Sequence, residues 1–229
     1  MNALSQDRLA SHEAWFRSSG DEGTKLVARG EYLSGVDLSH AILAGADLSR
    51  TELSHASLYG ADLTGADLTG ADLYKTDLGR ARLFGATLRE AWSVRTDLYG
   101  ADLTNADLTR AYLADINLIS AVLRGAILTQ ADVATFIVSR SVFDVSQVAE
   151  MTGTIGFAED PVTILEDGVE RNSTVADLSE AANRRGALLR VWPTGERPPQ
   201  WVKWRWGPSH SDGGSRTPFI YVDDSGEPT

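Results

Sequence analysis

The sequence contains no cysteine, which removes disulfides, thiolate metal sites and a thiol nucleophile together. Histidine is nearly as scarce, and His12, His40, His55 and His210 lie too far apart to suggest a metal cage. Apolar runs are short, and none approaches the roughly 20 residues that span a bilayer. The opening MNALSQDRLA lacks the apolar stretch of a secretion signal, so no membrane association and a cytoplasmic location are expected. Positive charge is in deficit: Lys and Arg number 21 against 32 Asp and Glu, a net charge of −11. A field of that sign repels phosphate backbones and argues against direct nucleic-acid binding. Walker loops, dinucleotide fingerprints and zinc spacings are also missing. What remains is a chain of 229 residues, 42% hydrophobic, too apolar to be disordered overall and long enough for one large domain with an appendage.

Against those absences stands one regularity. From Leu33 to Phe143 an inward-type residue recurs at every fifth position, 23 times without insertion. Nineteen of these are Leu, and the others are Ser93, Val133, Val138 and Phe143. Ala stands two residues earlier in 15 cases and Asp between the two in 10, as in ADLTGADLTGADLYKTDL from Ala61 to Leu78. A period of five fits neither common element. On an α-helix fifth residues spiral around the axis, and on a flat strand consecutive leucines alternate faces. A coil that turns about 90° every five residues places every Leu inside, and its turns stack at about 4.8 Å. Ala fits beside Leu because the core is narrow, and the Asp between them points outward. Gly stands two after Leu in eight cases, as a corner of demanding φ requires.

The motif resembles the pentapeptide-repeat family, whose repeat is A(D/N)LXX. The resemblance implies an all-β fold, a right-handed quadrilateral parallel β-helix of about six coils. It covers residues 31–145, a rod roughly 28 Å long at the inter-strand spacing. Residues 1–30 are expected to form a capping helix and lead-in, and residues 146–229 a small α+β appendage with a loose tail.

An open β-helix end exposes core and backbone edges, so both ends need covers. Residues 5–18 fit a short helix with Leu9, Ala10, Trp15 and Phe16 apolar and Gly20 as its stop, the aromatics packing on the first coil. At the other end the outward position turns apolar at Val122, Ile127, Ile137 and Val142, with Ile119 a further candidate. Such a patch calls for a cover. The C-terminal segment folding back, with Trp204 and Trp206 among its contacts, is the expected one, and a second chain the alternative. In that segment residues 146–151 fit one or two helical turns, 162–165 a strand before an Asp167-Gly168 turn, and 174–185 a helix stopped by Gly186. Residues 187–192, 201–206 and 219–222 fit strands.

No catalytic, cofactor-binding or metal site is expected, and no cofactor. Each repeat carboxylate is explained by the outward slot. Residues twenty apart share a column: Asp47, Asp67 and Asp107; Asp37, Asp77 and Asp97; Asp62 and Asp102. A solvated surface is the plain reading, and a spaced anionic surface imitating nucleic-acid phosphates the sharper one, against which Arg80, Arg82, Arg89, Arg95 and Arg110 interrupt the field. Trp92 and Tyr112 should stack in adjacent coils, as a sheet-stabilising ladder or an interface hot spot. Ser93 is the single polar residue in the Leu register and fits a packing irregularity better than a nucleophile. In the run from Trp201 to Trp206, tryptophans alternate with cations, as on a strand with one buried face.

The resemblance also implies a function. Several pentapeptide-repeat proteins bind DNA gyrase or topoisomerase IV as mimics of B-form DNA and protect the enzyme from quinolones or peptide poisons. This chain departs from that group in its nearly uniform Leu core, its mixed α/β tail and its moderate charge. A rod of this length spans only about eight base pairs, so a homodimer would serve the mimic better than a monomer. The alternatives are a scaffold or recognition rod for another protein, and a structural component of a phage or secretion assembly.

Overall fold

A chain that must return leucine to one axis every five residues needs a corner at the same interval, and the corner is a hydrogen-bonded turn. In the computed structural model, which describes residues 4–155 and 161–191, the Ala46 N–H donates to the Leu43 carbonyl at 3.0 Å. The same bond joins Ala61 to Leu58, Ala66 to Leu63 and Ala101 to Leu98, each at 3.0 Å. The third residue of each turn has positive φ, the type II arrangement, as at Gly45 (+71°) and Gly60 (+64°). Glycine is therefore favoured there and not required, since His40 (+60°), Arg80 (+56°) and Asn105 (+57°) hold the same corner.

Coils stack through a fixed register of twenty. The Asp67 N–H donates to the Ala46 carbonyl below at 2.9 Å, and the Asp67 carbonyl accepts from Leu48 at 2.8 Å. Four outward columns result. One carries Val27, Asp47, Asp67, Thr87, Asp107 and Ile127, and the next carries Tyr32, Glu52, Asp72, Trp92, Tyr112, Asp132 and Thr152. The third carries Asp37, Ser57, Asp77, Asp97, Asn117 and Ile137, and the fourth Ile42, Asp62, Arg82, Asp102, Val122 and Val142. Inside, leucines and alanines alternate in tiers, Leu48, Leu63, Ala46 and Ala66 being wholly buried. Each such Leu withdraws about 2 kcal/mol of apolar surface from water.

The fold is this parallel β-solenoid, with two helices among the described residues. α1 spans Gln6–Arg17. Up to residue 91 the coils touch through single-residue bridges, and longer strands occupy only about three turns beyond. These are β1 (Trp92–Val94), β2 (Tyr112–Asn117), β3 (Val122–Leu123), β4 (Asp132–Ile137), β5 (Val142–Asp144) and β6 (Thr152–Ile155). There follow β7 (Val162–Glu166), β8 (Val169–Ser173), α2 (Val175–Arg184) and β9 (Leu188–Val191). Two sheets form, in the orders β1-β2-β4-β6-β9 and β3-β5-β7-β8. β2 and β4 run on as six-residue strands where earlier coils turn, and Val94 and Ala114 are buried along that edge.

Several expectations change. The ladder is slightly longer than the repeat count: the single-residue bridges begin at Val27 and the pairing continues beyond Phe143. Residues 146–151 are not helical. Val148, five after Phe143, takes the Leu slot and Met151 the Ala slot, with Gln147 and Ala149 carbonyls accepting from Leu128 and Gln130. In α1 the buried residue is His12, whereas Phe16 is 42% exposed. The tail does not fold back over the late coils in the described residues. β7 stacks on β5 and β9 on β6, so it prolongs the solenoid along its axis. Val122, Ile127 and Val142 are half-buried, as the aspartates of their columns are, and Ile137 is 40% exposed. Trp204 and Trp206, with the strands expected at 201–206 and 219–222, lie outside the described residues.

Candidate functional site

The outward Asp has a local task that its exposure conceals. Asp67 Oδ1 accepts the Thr69 N–H at 2.9 Å, two residues on, and so secures the corner that follows. The same bond is made by Asp37, Asp47, Asp62, Asp77, Asp97, Asp102 and Asp107, and by Asn117 in its carboxamide form. Hydrophobic periodicity carries no trace of it; the signal was the interchange of Asp and Asn in the slot. One oxygen of each carboxylate is thereby committed to the fold, and charge presented to a partner comes mainly from the other.

The three candidate columns differ in how far internal cations neutralise them. Asp62 and Asp102 flank Arg82, which approaches Asp62 at 3.7 Å. Asp107 receives Arg89 Nε at 2.6 Å. Burial raises its pKa, but hydrogen bonds from Thr109 and Arg89 outweigh it and hold the carboxyl below the usual range. Asp47 is adjacent to Asp67, and a hydrogen bond from the Ser49 hydroxyl, with Arg29 and Lys25 nearby, keeps its carboxyl low despite partial burial. Asp77 and Asp97 are direct neighbours, and Asp97 Oδ1 accepts from Asn117 at 3.0 Å. Among the described residues neither Asp77 nor Asp97 forms a salt bridge. Asp37 stands two rungs from Asp77, with Ser57 between.

Trp92 and Tyr112 pair in register and stack, ring centroids 4.4 Å apart and planes 19° from parallel. Burial, then the charges of Asp132 and Asp115, push the Tyr112 phenol up to about 12. Arg95 reaches Asp115 at 3.9 Å on one flank, and Arg110 reaches Glu90 at 3.9 Å on the other. An aromatic centre rimmed by arginines has the composition of an interface anchor. Ser93, directly beneath, is buried and donates to Thr96 Oγ1 at 2.8 Å, which donates to the Leu73 carbonyl at 2.7 Å. That chain of hydroxyls is how the solenoid tolerates a polar residue in its Leu register.

No group of three or more His, Cys, Asp or Glu among the described residues is arranged to hold a metal ion. No helix there is long and apolar enough to cross a membrane. A shallow depression lined by Arg171, Ser173, Asp177, Glu180 and Arg184 is internally neutralised, with both arginines on Glu166 at 2.9 and 3.2 Å.

The profile of pentapeptide repeats matches the chain in eight copies, over residues 32–70, 61–92 and 96–133. A solved pentapeptide repeat protein from the Arabidopsis thaliana thylakoid lumen is 32% identical over 46% of this chain, with a TM-score of 0.36. The match spans 66% of that protein, just under two thirds of its length. The pentapeptide repeat protein Rfr23 of the cyanobacterium Cyanothece 51142 is 33% identical over 46% of this chain and 82% of its own, with a TM-score of 0.27. QnrB1, a plasmid-mediated fluoroquinolone resistance protein, is 16% identical over 70% of this chain and 95% of its own, with a TM-score of 0.28. Among curated proteins none matches significantly.

Proposed function

The chain belongs to the pentapeptide repeat family, and from that premise we propose that it is a non-enzymatic, protein-binding solenoid whose specific partner is a bacterial type II topoisomerase such as DNA gyrase. The carrying observation is the pairing of like charges in register at Asp47–Asp67 and Asp77–Asp97. Carboxylates held at about 4.8 Å make each pair a rigid anionic step, one on each of two opposite faces, which suits a groove built to take phosphates. Rigidity matters because a preorganised charge pays little ordering entropy on binding. In this reading the protein occupies the DNA-binding surface and lowers the enzyme's exposure to quinolones or peptide poisons.

A second reading follows from the stacked Trp92–Tyr112 pair with Arg95 and Arg110 beside it. That patch suits a dedicated protein partner that docks on the aromatic centre and has no relation to DNA.

Gyrase supercoiling with the protein titrated in, with and without a fluoroquinolone, tests the first reading. Asp47→Asn/Asp67→Asn and Asp77→Asn/Asp97→Asn are the informative variants, because Asn keeps the corner bond and removes only charge. Inhibition or rescue by the wild type that both variants lose supports the mimic. No effect at large excess, with binding partners lost instead by Trp92→Ala, moves the function to the aromatic face.

A further inference from the structure

His12 is completely buried on α1, at the N-terminal end of the solenoid. Its Nδ1 accepts the Leu26 N–H at 3.0 Å, so the ring is held as the tautomer with its proton on Nε2. Nε2 is buried with no partner in good hydrogen-bond geometry, and the nearby Ala44 carbonyl favours the protonated ring, against the larger effect of burial. Trp15 stacks on the imidazole at a centroid distance of 5.4 Å and lies over the corner at Gly45. The helix is also tied by Arg8, which donates to Glu31 at 2.9 Å and to the Val27 carbonyl at 2.6 Å, and by the Ser11 carbonyl, which accepts the Thr24 N–H at 3.1 Å.

We infer that α1 is an acid-sensitive latch, which protonation of His12 undocks from the first coil. A proton arriving on Nδ1 sets an N–H against the Leu26 N–H, so the bond that seats the ring becomes donor against donor. The imidazolium would also be buried with no compensating charge. Lys25 is the charged group facing it from the lead-in, and it repels. On α1 itself Arg8 is engaged with Glu31 and Glu13 with Arg17, and no carboxylate pairs with His12 among the described residues. Burial first and Lys25 second hold the ring's pKa below its ordinary value, consistent with a docked neutral form. Undocking frees the N–H of Leu26, itself buried in the docked form, and lifts Leu9 of α1 off the core against which it packs. The other helix among the described residues, α2, contains no histidine.

Hydrogen exchange of residues 6–26 in the full chain, corrected for intrinsic rates, reads the latch directly between pH 7.5 and 5.5. An undocked imidazole titrates near 6.5 and the docked one resists, so opening should rise about tenfold over that interval. His12→Asn carries an acceptor near the Nδ1 position and no titrating ring, and its protection should be flat with pH. NMR titration of the wild-type His12 ring is the second readout, expected to give a midpoint below the ordinary value. Protection that is flat in the wild type, an acid loss that persists in His12→Asn, or a His12 ring that titrates normally while α1 stays docked would each overturn the latch. If His12→Asn is undocked at every pH, the wild-type ring titration and exchange profile still decide.

Discussion

The carboxamide of Asn183 pairs with both backbone groups of Leu189: Oδ1 accepts its N–H at 2.8 Å, and Nδ2 donates to its carbonyl at 3.0 Å. The side chain of α2 thus stands where another strand would add to β9. A free edge is a template for association, and here it is occupied from within.

Asn183→Ala should therefore do two things. It strips partners from a partly buried peptide group, costing roughly 1–3 kcal/mol in urea unfolding. It also frees the edge, so sedimentation velocity should show association that grows with concentration. Sedimentation like the wild type at all concentrations would mean that the edge is guarded by something else.

The corner bonds separate two roles of the aspartates. Asp67→Ala removes the acceptor of the Thr69 N–H and should cost about 1 kcal/mol, whereas Asp67→Asn should be near neutral. Equal losses in thermal unfolding would show that charge and not the corner bond carries the effect.

Acid should unfold the solenoid well below the pH at which α1 is affected. Asp47 and Asp107 have folded pKa values below the unfolded value of about 3.9. For such a group the stabilisation is present above the unfolded value and is lost as pH falls through the folded one. Urea midpoints should thus decline below about pH 4, less steeply in Asp47→Asn/Asp107→Asn.

Within the core, the hydroxyl chain predicts an unequal pair. Thr96→Val leaves the Ser93 hydroxyl buried without an acceptor and should cost about 1–3 kcal/mol. Ser93→Ala removes only the donor and should cost less. The reverse order in chemical denaturation would place the strain at Ser93 itself.

The aromatic pair is open to a double-mutant cycle. Trp92→Ala and Tyr112→Ala should couple by about 0.5–1.5 kcal/mol. In ultraviolet titration the Tyr112 phenol should ionise at about 12. Its early ionisation would contradict the buried stack.

Much of this architecture was legible in the sequence because one physical demand, leucine on an axis, repeats too often to be obscured. The ends of α2 were legible in part: Gly186 stops the helix at φ +89°, and of the two candidate caps, Ser173 and Thr174, it is Thr174 that closes a capping box with Asp177. Other features were hidden for definite reasons. Val148 continued the register after Leu had ceased to mark it, and Gly153, in the next Leu slot, passes so close to Val133 that a Cβ would lie 1.7 Å from its carbonyl oxygen. The aspartates looked like surface charge because their bond runs to backbone two residues ahead. The bond that seats His12 could not be foreseen, since its partner Leu26 lies 14 residues along the chain.

The twenty-residue register has a consequence for how such a chain can change. Substitutions act on one site, but an insertion acts like a shift of frame. A single added residue turns every later leucine away from the axis, whereas five keep the interior and rotate all downstream side chains by a quarter turn. After such a step the line from Asp47 would no longer run to Asp67, and a recognition surface would be rewritten without disturbing the core. Only additions of twenty leave every facet in phase, so growth by whole coils lengthens the molecule while preserving its surface pattern.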